Sequence, residues 1–232
     1  MMIQSVQKDL KNLGNPKKAK ILARLFKTGP GEYSEGDVFL GISVPDVRSV
    51  ARRYIDMGLE DVESLLQSQI HECRLAALLI LSENFKKAVA ENQTNIYSVY
   101  LTNTRRVNNW DLVDLSAHHI VGECLQERKK DMLYALARSD NLWERRISII
   151  ATYSFIKKGK FDETLKIAEM LLNDQHDLIQ KAVGWMLREV GKRDQQAEER
   201  FLRKHYKTIP RTALRYAIEK FDKKKKKFYM QK

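Results

Sequence analysis

Apolar residues recur at spacings of three and four positions along almost the whole chain, with polar residues between them. This period is typical of amphipathic α-helices that bury one face. Glycine and proline number only 10 and 4, and they fall mostly between the periodic segments. No segment alternates apolar and polar residues beside a hairpin turn, so the sequence predicts an all-α fold.

The predicted helices alternate between short and long. Their expected ranges are 2–13, 16–27, 45–58, 60–67, 71–87, 95–101, 110–126, 130–137, 142–158, 161–172, 178–190, 195–205 and 210–221. Residues 28–37 are rich in turn-forming residues and should form the longest loop, followed by a short apolar insert at 38–42. The last segment, 223–232, begins with five lysines and is expected to be a solvated, mobile tail.

The long helices carry an internal repeat of about 36 residues. The segment that begins at His71 aligns with the one that begins at Trp143, 72 positions later. In this register, equivalent helix positions hold Arg74, Trp110, Arg146 and Lys181. Helix pairs with this period stack in α-solenoids, because no pair can bury its apolar face alone. The sequence therefore predicts a single domain, 1–222, built as an α-solenoid of HEAT-like helix pairs with a concave groove.

Charge indicates what the groove binds. Lysine and arginine number 42 against 30 acidic residues, a formal net charge of +12. Three of the four equivalent positions are cationic, which suits a polyanion such as the DNA backbone. The competing interpretation is that these are ordinary surface charges on a basic protein. Cys73 and Cys124 match no metal or disulfide spacing, and no signal or membrane-spanning segment is apparent, so we expect a cytoplasmic protein.

Trp110 interrupts the row of cations, and Asp114 follows it one helical turn later on the same face. Trp185 lies one turn after Lys181 and is therefore the repeat equivalent of Asp114. The register predicts that both indoles and the carboxylate point into the groove beside Arg146. The alternatives are core packing for the tryptophans and a solvated or arginine-paired carboxylate at Asp114.

A carboxylate in a DNA-binding groove repels phosphate, so it is useful only where positive charge develops. Cleavage of an N-glycosidic bond makes the sugar oxocarbenium-like, and an acid such as Asp114 could stabilise that charge and orient a water. One acid suffices when the leaving base is already cationic. Asp111, in the first turn of the same helix, is better explained by the helix dipole.

Several segments resemble the HEAT-like-repeat DNA glycosylases of the AlkD type. They are 39–42 with Pro45 and Arg48, 110–114, 140–146 and 180–189. The resemblance implies a monomeric, monofunctional enzyme without metal or cofactor. It would excise positively charged alkylpurines, such as 3-methyladenine and 7-methylguanine, from duplex DNA without flipping the base into a pocket.

The resemblance places the catalytic acid on Asp114 and the sugar-contacting tryptophans on Trp110 and Trp185. The residues expected to bind DNA are Arg74, Arg145, Arg146 and Lys181. The loop at 28–37 is longer and richer in glycine than expected for the family, so no N-terminal contact is transferred. Two other functions fit the sequence: a non-catalytic solenoid that binds distorted or branched DNA, and a protein-binding scaffold. No metal site is expected, since the adjacent His118 and His119 leave a helix in different directions.

Overall fold

The computed structural model describes residues 2–231, which form helices and turns without a β-strand. This confirms the predicted all-α class, and helices adjacent in sequence pack together as in α-solenoids. Met1, the first residue of the predicted domain 1–222, and Lys232, the last residue of the predicted tail 223–232, lie outside the described residues. The chain divides into two compact units, one ending at Ile120 and the other beginning at Val121. None of the described helices is long and apolar enough to cross a bilayer.

The first unit is organised around one long, almost fully buried helix. The α-helices described in it are α1 (Met2–Asn12), α2 (Pro16–Leu25), α3 (Val44–Arg53), α4 (Leu59–Leu66), α5 (His71–Lys87), α6 (Ala90–Thr102) and α7 (Trp110–Asp114). The side chains of Asn15 and Ser43 cap α2 and α3, as their positions before a proline-containing first turn predict. Helix α5 contacts α1, α3, α4, α6 and α7, so it forms the core of this unit.

The second unit is centred on a long helix that approaches its neighbour closely. Its helices are α8 (Asp131–Ala137), α9 (Leu142–Ala151), α10 (Tyr153–Lys157), α11 (Asp162–Met170), α12 (Asp177–Gly191), α13 (Gln195–His205), α14 (Arg211–Ala217) and α15 (Lys223–Met230). Helix α12 packs against α9, α13 and α14. A Cβ at Gly184 would lie 2.3 Å from the carbonyl oxygen of Ala213, so only glycine permits this approach to α14.

Two helices predicted to be continuous are broken by buried hydroxyl groups. The expected helix 110–126 stops at Asp114, and a π-helical segment follows at His118–Gly122. Ser116 Oγ donates to the Leu112 carbonyl at 2.5 Å, a back-bond that bends helices and interrupts their regular pattern. Thr152 makes a similar bond of 2.7 Å to Ile149 at the break between α9 and α10.

The lysine-rich end forms a helix where the sequence predicted a mobile tail, and Lys223, Lys224 and Lys227 are exposed, as expected of a solvated segment. Asp222 caps α15 by accepting from the Lys225 backbone N–H at 2.8 Å. Tyr229 is only 2% exposed and lies 5.7 Å, between ring centroids, from both Phe221 and Tyr206. Lys225 also forms an ion pair with Glu199 of α13. The lysine run is therefore attached to the second unit by a cap and an aromatic anchor.

Candidate active site

Helix α7 exposes only its two ends. Asn109 Oδ1 accepts from the Trp110 backbone N–H at 2.8 Å and starts the helix. Trp110 and Asp114 are both partly exposed, whereas the three residues between them are buried. The indole and the carboxylate therefore reach solvent one turn apart from a short helix whose middle is fixed in the core.

Trp110 is the outermost ring of a four-ring stack. It lies on Phe26 with 4.9 Å between ring centroids and 11° between the ring planes. Phe26 stacks on Phe39 at 5.0 Å, and Phe39 stacks on His71 at 4.3 Å. Such contacts hold aromatic rings beyond what buried area alone provides. Phe26 thus covers one face of the indole, and the rest of the ring accounts for its partial exposure.

A buried ionic cluster lies at the inner end of this stack. His71 Nε2 is 2.8 Å from Asp111 Oδ2, and His71 Nδ1 is 3.8 Å from Asp37 Oδ2. Arg74 Nη2 is 2.5 Å from the same Asp37 oxygen. Asp111 was expected only to complement the helix dipole. Its carboxylate is instead buried against His71, while its other oxygen accepts from the Leu112 backbone N–H at 2.8 Å.

The cluster shifts the ionisation of its members. Burial alone would lower the pKa of His71, but the charge and hydrogen bond of Asp111, with help from Asp37, raise it above the ordinary value. Burial would raise the pKa of Asp37, whereas His71 and Arg74 together hold it below the usual range. The geometry therefore favours an imidazolium between two carboxylates.

The glycine-rich loop at 28–37 supports α7 directly. Ser34 is 1% exposed, and its hydroxyl accepts from Asn109 Nδ2 at 2.7 Å. Asn108 Nδ2 donates to Asp37 Oδ1 at 3.1 Å. The segment after the loop is held by Glu72, whose carboxylate accepts the backbone N–H groups of residues 40–42 at 2.8–3.2 Å. The part of the chain for which the sequence predicted no contact thus forms the backing of the Trp110 helix.

Asp114 lies close to a buried phenol. Tyr100 is fully buried, and its hydroxyl lies 3.0 Å from Ser116 Oγ. Burial raises the pKa of Tyr100 well above its ordinary value, and the negative charge of Asp114 adds to the effect. Asp114 is therefore a partly exposed acid near a buried hydroxyl pair, at the point where the helix breaks.

The predicted row of groove cations requires correction at Arg74. This residue is 1% exposed, and its guanidinium donates to the Ser68 carbonyl at 2.8 Å besides pairing with Asp37. The sequence register was compatible with a surface position, but Asp37, from a distant loop, folds over the side chain. Arg74 therefore stabilises the first unit internally and offers no exposed charge to phosphate.

In the second unit, two of the three residues expected to bind DNA are also engaged in internal contacts. Arg146 is 5% exposed and donates to the Leu178 carbonyl at the start of α12. Arg145 Nε bonds Asp174 Oδ2 at 2.7 Å, and the Arg145 side chain is 20% exposed. Lys181 keeps 39% of its side chain exposed, although it pairs with Asp177 at 2.6 Å. Arg145 and Arg146 thus connect adjacent helices and turns.

Trp185 lies within the second unit and is partly exposed. Its Nε1–H donates to Glu189 Oε1 at 3.2 Å, one turn further along α12. Glu189 is itself buried and accepts from Lys192 Nζ at 2.6 Å. The indole is therefore oriented by a charged hydrogen bond instead of a ring stack.

Comparison with known proteins identifies the family. The family described as "DNA alkylation repair enzyme" matches residues 6–221. The chain belongs to this family. Family membership agrees with the resemblance seen at 110–114 and 180–189, and with the all-helical fold.

Solved structures share that fold at low sequence identity. A predicted DNA alkylation repair enzyme from Enterococcus faecalis aligns with a TM-score of 0.70 and 18% identity, over 90% of this chain and 97% of that one. The crystal structure of AlkD2 from Streptococcus mutans aligns with a TM-score of 0.56 and 17% identity, over 96% and 100% of the two chains. Among curated protein sequences, none matches the chain significantly.

His71, Asp37 and Phe26 were not singled out by the sequence. Among residues 2–231, no three or more His, Cys, Asp or Glu side chains are grouped so that they could hold a metal ion. Phe39 could have been found, since it begins the family-like segment 39–42. The contacts of His71 with Asp37 and Asp111, and of Phe26 with Trp110, join positions more than thirty residues apart, which no local pattern indicates.

Proposed function

We propose that the protein is a DNA base-excision glycosylase. Its substrates would be positively charged N3- and N7-alkylated purines in duplex DNA, and it would act as a cytoplasmic monomer without a cofactor. The family supports a role in DNA alkylation repair. The observation that carries the finer proposal is the exposure of Trp110 and Asp114 alone at the two ends of an otherwise buried helix.

The proposed reaction is hydrolysis at C1′ of the damaged nucleotide. The C1′–N bond breaks, and its electron pair neutralises the cationic base, which therefore needs no proton to leave. Asp114 stabilises the oxocarbenium-like sugar and accepts the proton of the water that adds to C1′. The exposed part of the Trp110 ring packs against the sugar, where its electron-rich π-system favours positive charge.

The remaining assignments follow from the resemblance and the repeat register. We assign Trp185 a second contact to the sugar and Lys181 a contact to the phosphate backbone. Arg145 is 20% exposed at its side chain and contributes a weaker phosphate contact beside its bond to Asp174. Arg74 and Arg146 are assigned to internal stabilisation because both are almost completely buried.

The test is release of 7-methylguanine and 3-methyladenine from methylated duplex DNA by wild type and Asp114→Asn. We expect at least about a 100-fold loss of excision in the variant, as for removal of one electrostatic contact to a transition state, with DNA affinity unchanged. Asp162→Asn, which alters an exposed acid at the start of α11, is the matched control and should keep full activity.

Full excision by Asp114→Asn would remove the role assigned to this carboxylate. Tight DNA binding by wild type without release of any alkylated base would instead favour the non-catalytic DNA-binding solenoid. Absence of DNA affinity at physiological salt would favour a protein-binding scaffold.

A further inference from the structure

We propose that His71 is a positioning residue for Trp110, and that its protonated form, bridging Asp37 and Asp111, keeps the indole oriented. His71 is too deeply buried to touch DNA, with 2% exposure. The catalytic consequence of this proposal rests on the proposed function, whereas the structural consequence for Trp110 does not.

The first connection between His71 and Trp110 passes through rings. The imidazole lies face to face with Phe39 at 4.3 Å and 21°, and it also contacts Phe26 at 5.3 Å. Phe26 in turn stacks on the indole of Trp110, with 4.9 Å between the ring centroids. Because protein interiors are close-packed, a shift of the imidazole displaces the rings that stack on it.

The second connection passes through the backbone of α7. Asp111 follows Trp110 directly in the chain, and its Oδ2 is fixed by His71 Nε2 at 2.8 Å. Its Oδ1 accepts from the Leu112 backbone N–H at 2.8 Å. The side chain of Asp111 therefore links the imidazole to the first turn of the helix that begins at Trp110.

The charges around the imidazole favour its protonation. Asp37 faces it from the loop, Asp111 faces it from α7, and Arg74 lies one turn further along its own helix. Glu72, next to His71 in α5, faces the backbone of residues 40–42 instead. Two carboxylates and one guanidinium leave a net charge of −1, which the imidazolium neutralises. Among the described residues His71 Nδ1 has no hydrogen-bond partner, so Asp37 acts on it by charge at 3.8 Å.

The sign of the pH dependence follows from the geometry and from the raised pKa of His71. The stabilisation is fully present below the pKa of an unfolded histidine, about 6.5. It is lost as the pH rises through the higher pKa of the folded protein. Above that pKa the cluster carries an uncompensated buried negative charge, and the contact between His71 and Asp111 weakens. Trp110 should then lose its fixed orientation as the pH rises through that pKa.

The experiment follows tryptophan emission between pH 6 and 10 in wild type, His71→Gln and Trp110→Phe. Wild type should show one alkaline transition that both variants lack. His205→Gln, which alters a histidine of the second unit, should keep the transition. Persistence of the transition in His71→Gln at the same midpoint would overturn the proposal, as would absence of any transition in wild type.

A second variant separates positioning from simple loss of packing. Asp111→Asn keeps the shape of the carboxyl and the imidazole but removes one facing charge. The midpoint should fall by about 1 pH unit or more, the usual effect of a neighbouring opposite charge. Imidazole ¹⁵N NMR gives the same pKa directly, with the His71 signal identified by its absence in His71→Gln. A neutral His71 at pH 6.5 in wild type contradicts the proposal.

The catalytic readout is single-turnover excision at saturating protein. His71→Gln should slow the chemical step about 10-fold while the DNA dissociation constant stays the same, because a positioning residue acts on the reacting geometry. An unchanged rate constant would limit His71 to a structural role. If wild type excises nothing, the proposed function fails, and the fluorescence and NMR measurements still decide whether His71 orients Trp110.

Discussion

The two tryptophans assigned to the sugar are held in contrasting ways. Trp110 is fixed from behind by Phe26 in a continuous ring stack. Trp185 is held by its Nε1–H bond to Glu189, which also accepts from Lys192. A ring stack restricts the plane of an indole, whereas one hydrogen bond restricts mainly its edge. These contacts therefore hold the Trp110 ring, one turn from Asp114, more rigidly than the Trp185 ring.

Two buried acids, Asp111 in the first unit and Glu198 in the second, also differ in their surroundings. Asp111 is buried against the ionisable His71. Glu198 of α13 is 1% exposed, and its Oε1 has no hydrogen-bond partner among the described residues. Burial, together with the adjacent Glu199, raises the pKa of Glu198 to about 8. Asp111 is thus buried beside a compensating charge, whereas Glu198 is buried as a carboxyl that is neutral at pH 7.

The largest effect should come from Phe26→Ala, which removes the ring between Trp110 and Phe39. Truncation of a buried phenylalanine costs about 3 kcal/mol or more of unfolding free energy, and here it also releases Trp110. We expect this loss in urea unfolding, together with weaker excision. Phe228→Ala is the control, since that ring is 52% exposed. A cost below about 1 kcal/mol would show that the stack does not hold the indole.

Glu198→Gln should stabilise the protein by an amount that depends on pH. The unfolded carboxyl ionises near its model value of 4.5 and the folded one near 8, so stability falls as the pH rises between these values. The amide avoids this penalty, which we expect to reach several kcal/mol at pH 8. Thermal unfolding at pH 4.5 and pH 8 measures the difference. Equal gains at both values would mean that Glu198 is not neutral in the fold.

Ser116→Ala tests the helix break behind Asp114. The substitution removes the bonds of the hydroxyl to Leu112 and Tyr100, at a cost of about 1 kcal/mol. Because the break determines where α7 ends, the rate of excision should fall by more than the loss of folded protein alone explains. Thr152→Ala provides the matched loss of a buried back-bond in the second unit, and its excision should be unchanged. Equal excision defects in both variants would contradict a specific role for the break.

The smallest effect is expected from Asp222→Ala, which removes the cap of α15. Amide exchange should become faster in Lys223–Met230 alone, since the capped first turn frays. The global unfolding temperature and tryptophan emission should not change. A shift in the emission of the folded protein would show that α15 influences one of the tryptophan environments.

Periodicity and cap residues predicted much of the fold. The range His71–Lys87 is the helix that the sequence indicated, and Asn15 and Ser43 cap the helices expected from their positions. Local rules failed at Ser116, where a hydroxyl satisfied a carbonyl that the helix would have used. They also failed at Lys223–Met230, because the anchoring of Tyr229 depends on rings outside the segment.

The candidate site was predictable only in part. The spacing of Trp110 and Asp114 predicted their shared exposure, because residues four positions apart lie on the same face of a helix. The burial of Arg74 was not predictable, since it depends on Asp37, which approaches from 37 positions earlier in the chain. Repeat register gives the place of a residue on its helix, but whether a loop covers it is a tertiary property.

The loop at 28–37 has a practical consequence for protein engineering. Phe26, Ser34 and Asp37 are fixed by their contacts with the site, yet in residues 2–231 nothing beyond Gly31 and its two chain neighbours lies within 4 Å of a Cβ placed at Gly31. Gly31 has a φ of +75°, so an inserted linker there should begin and end with glycine. A dye or affinity tag inserted at this tip should therefore leave the support of Trp110 intact.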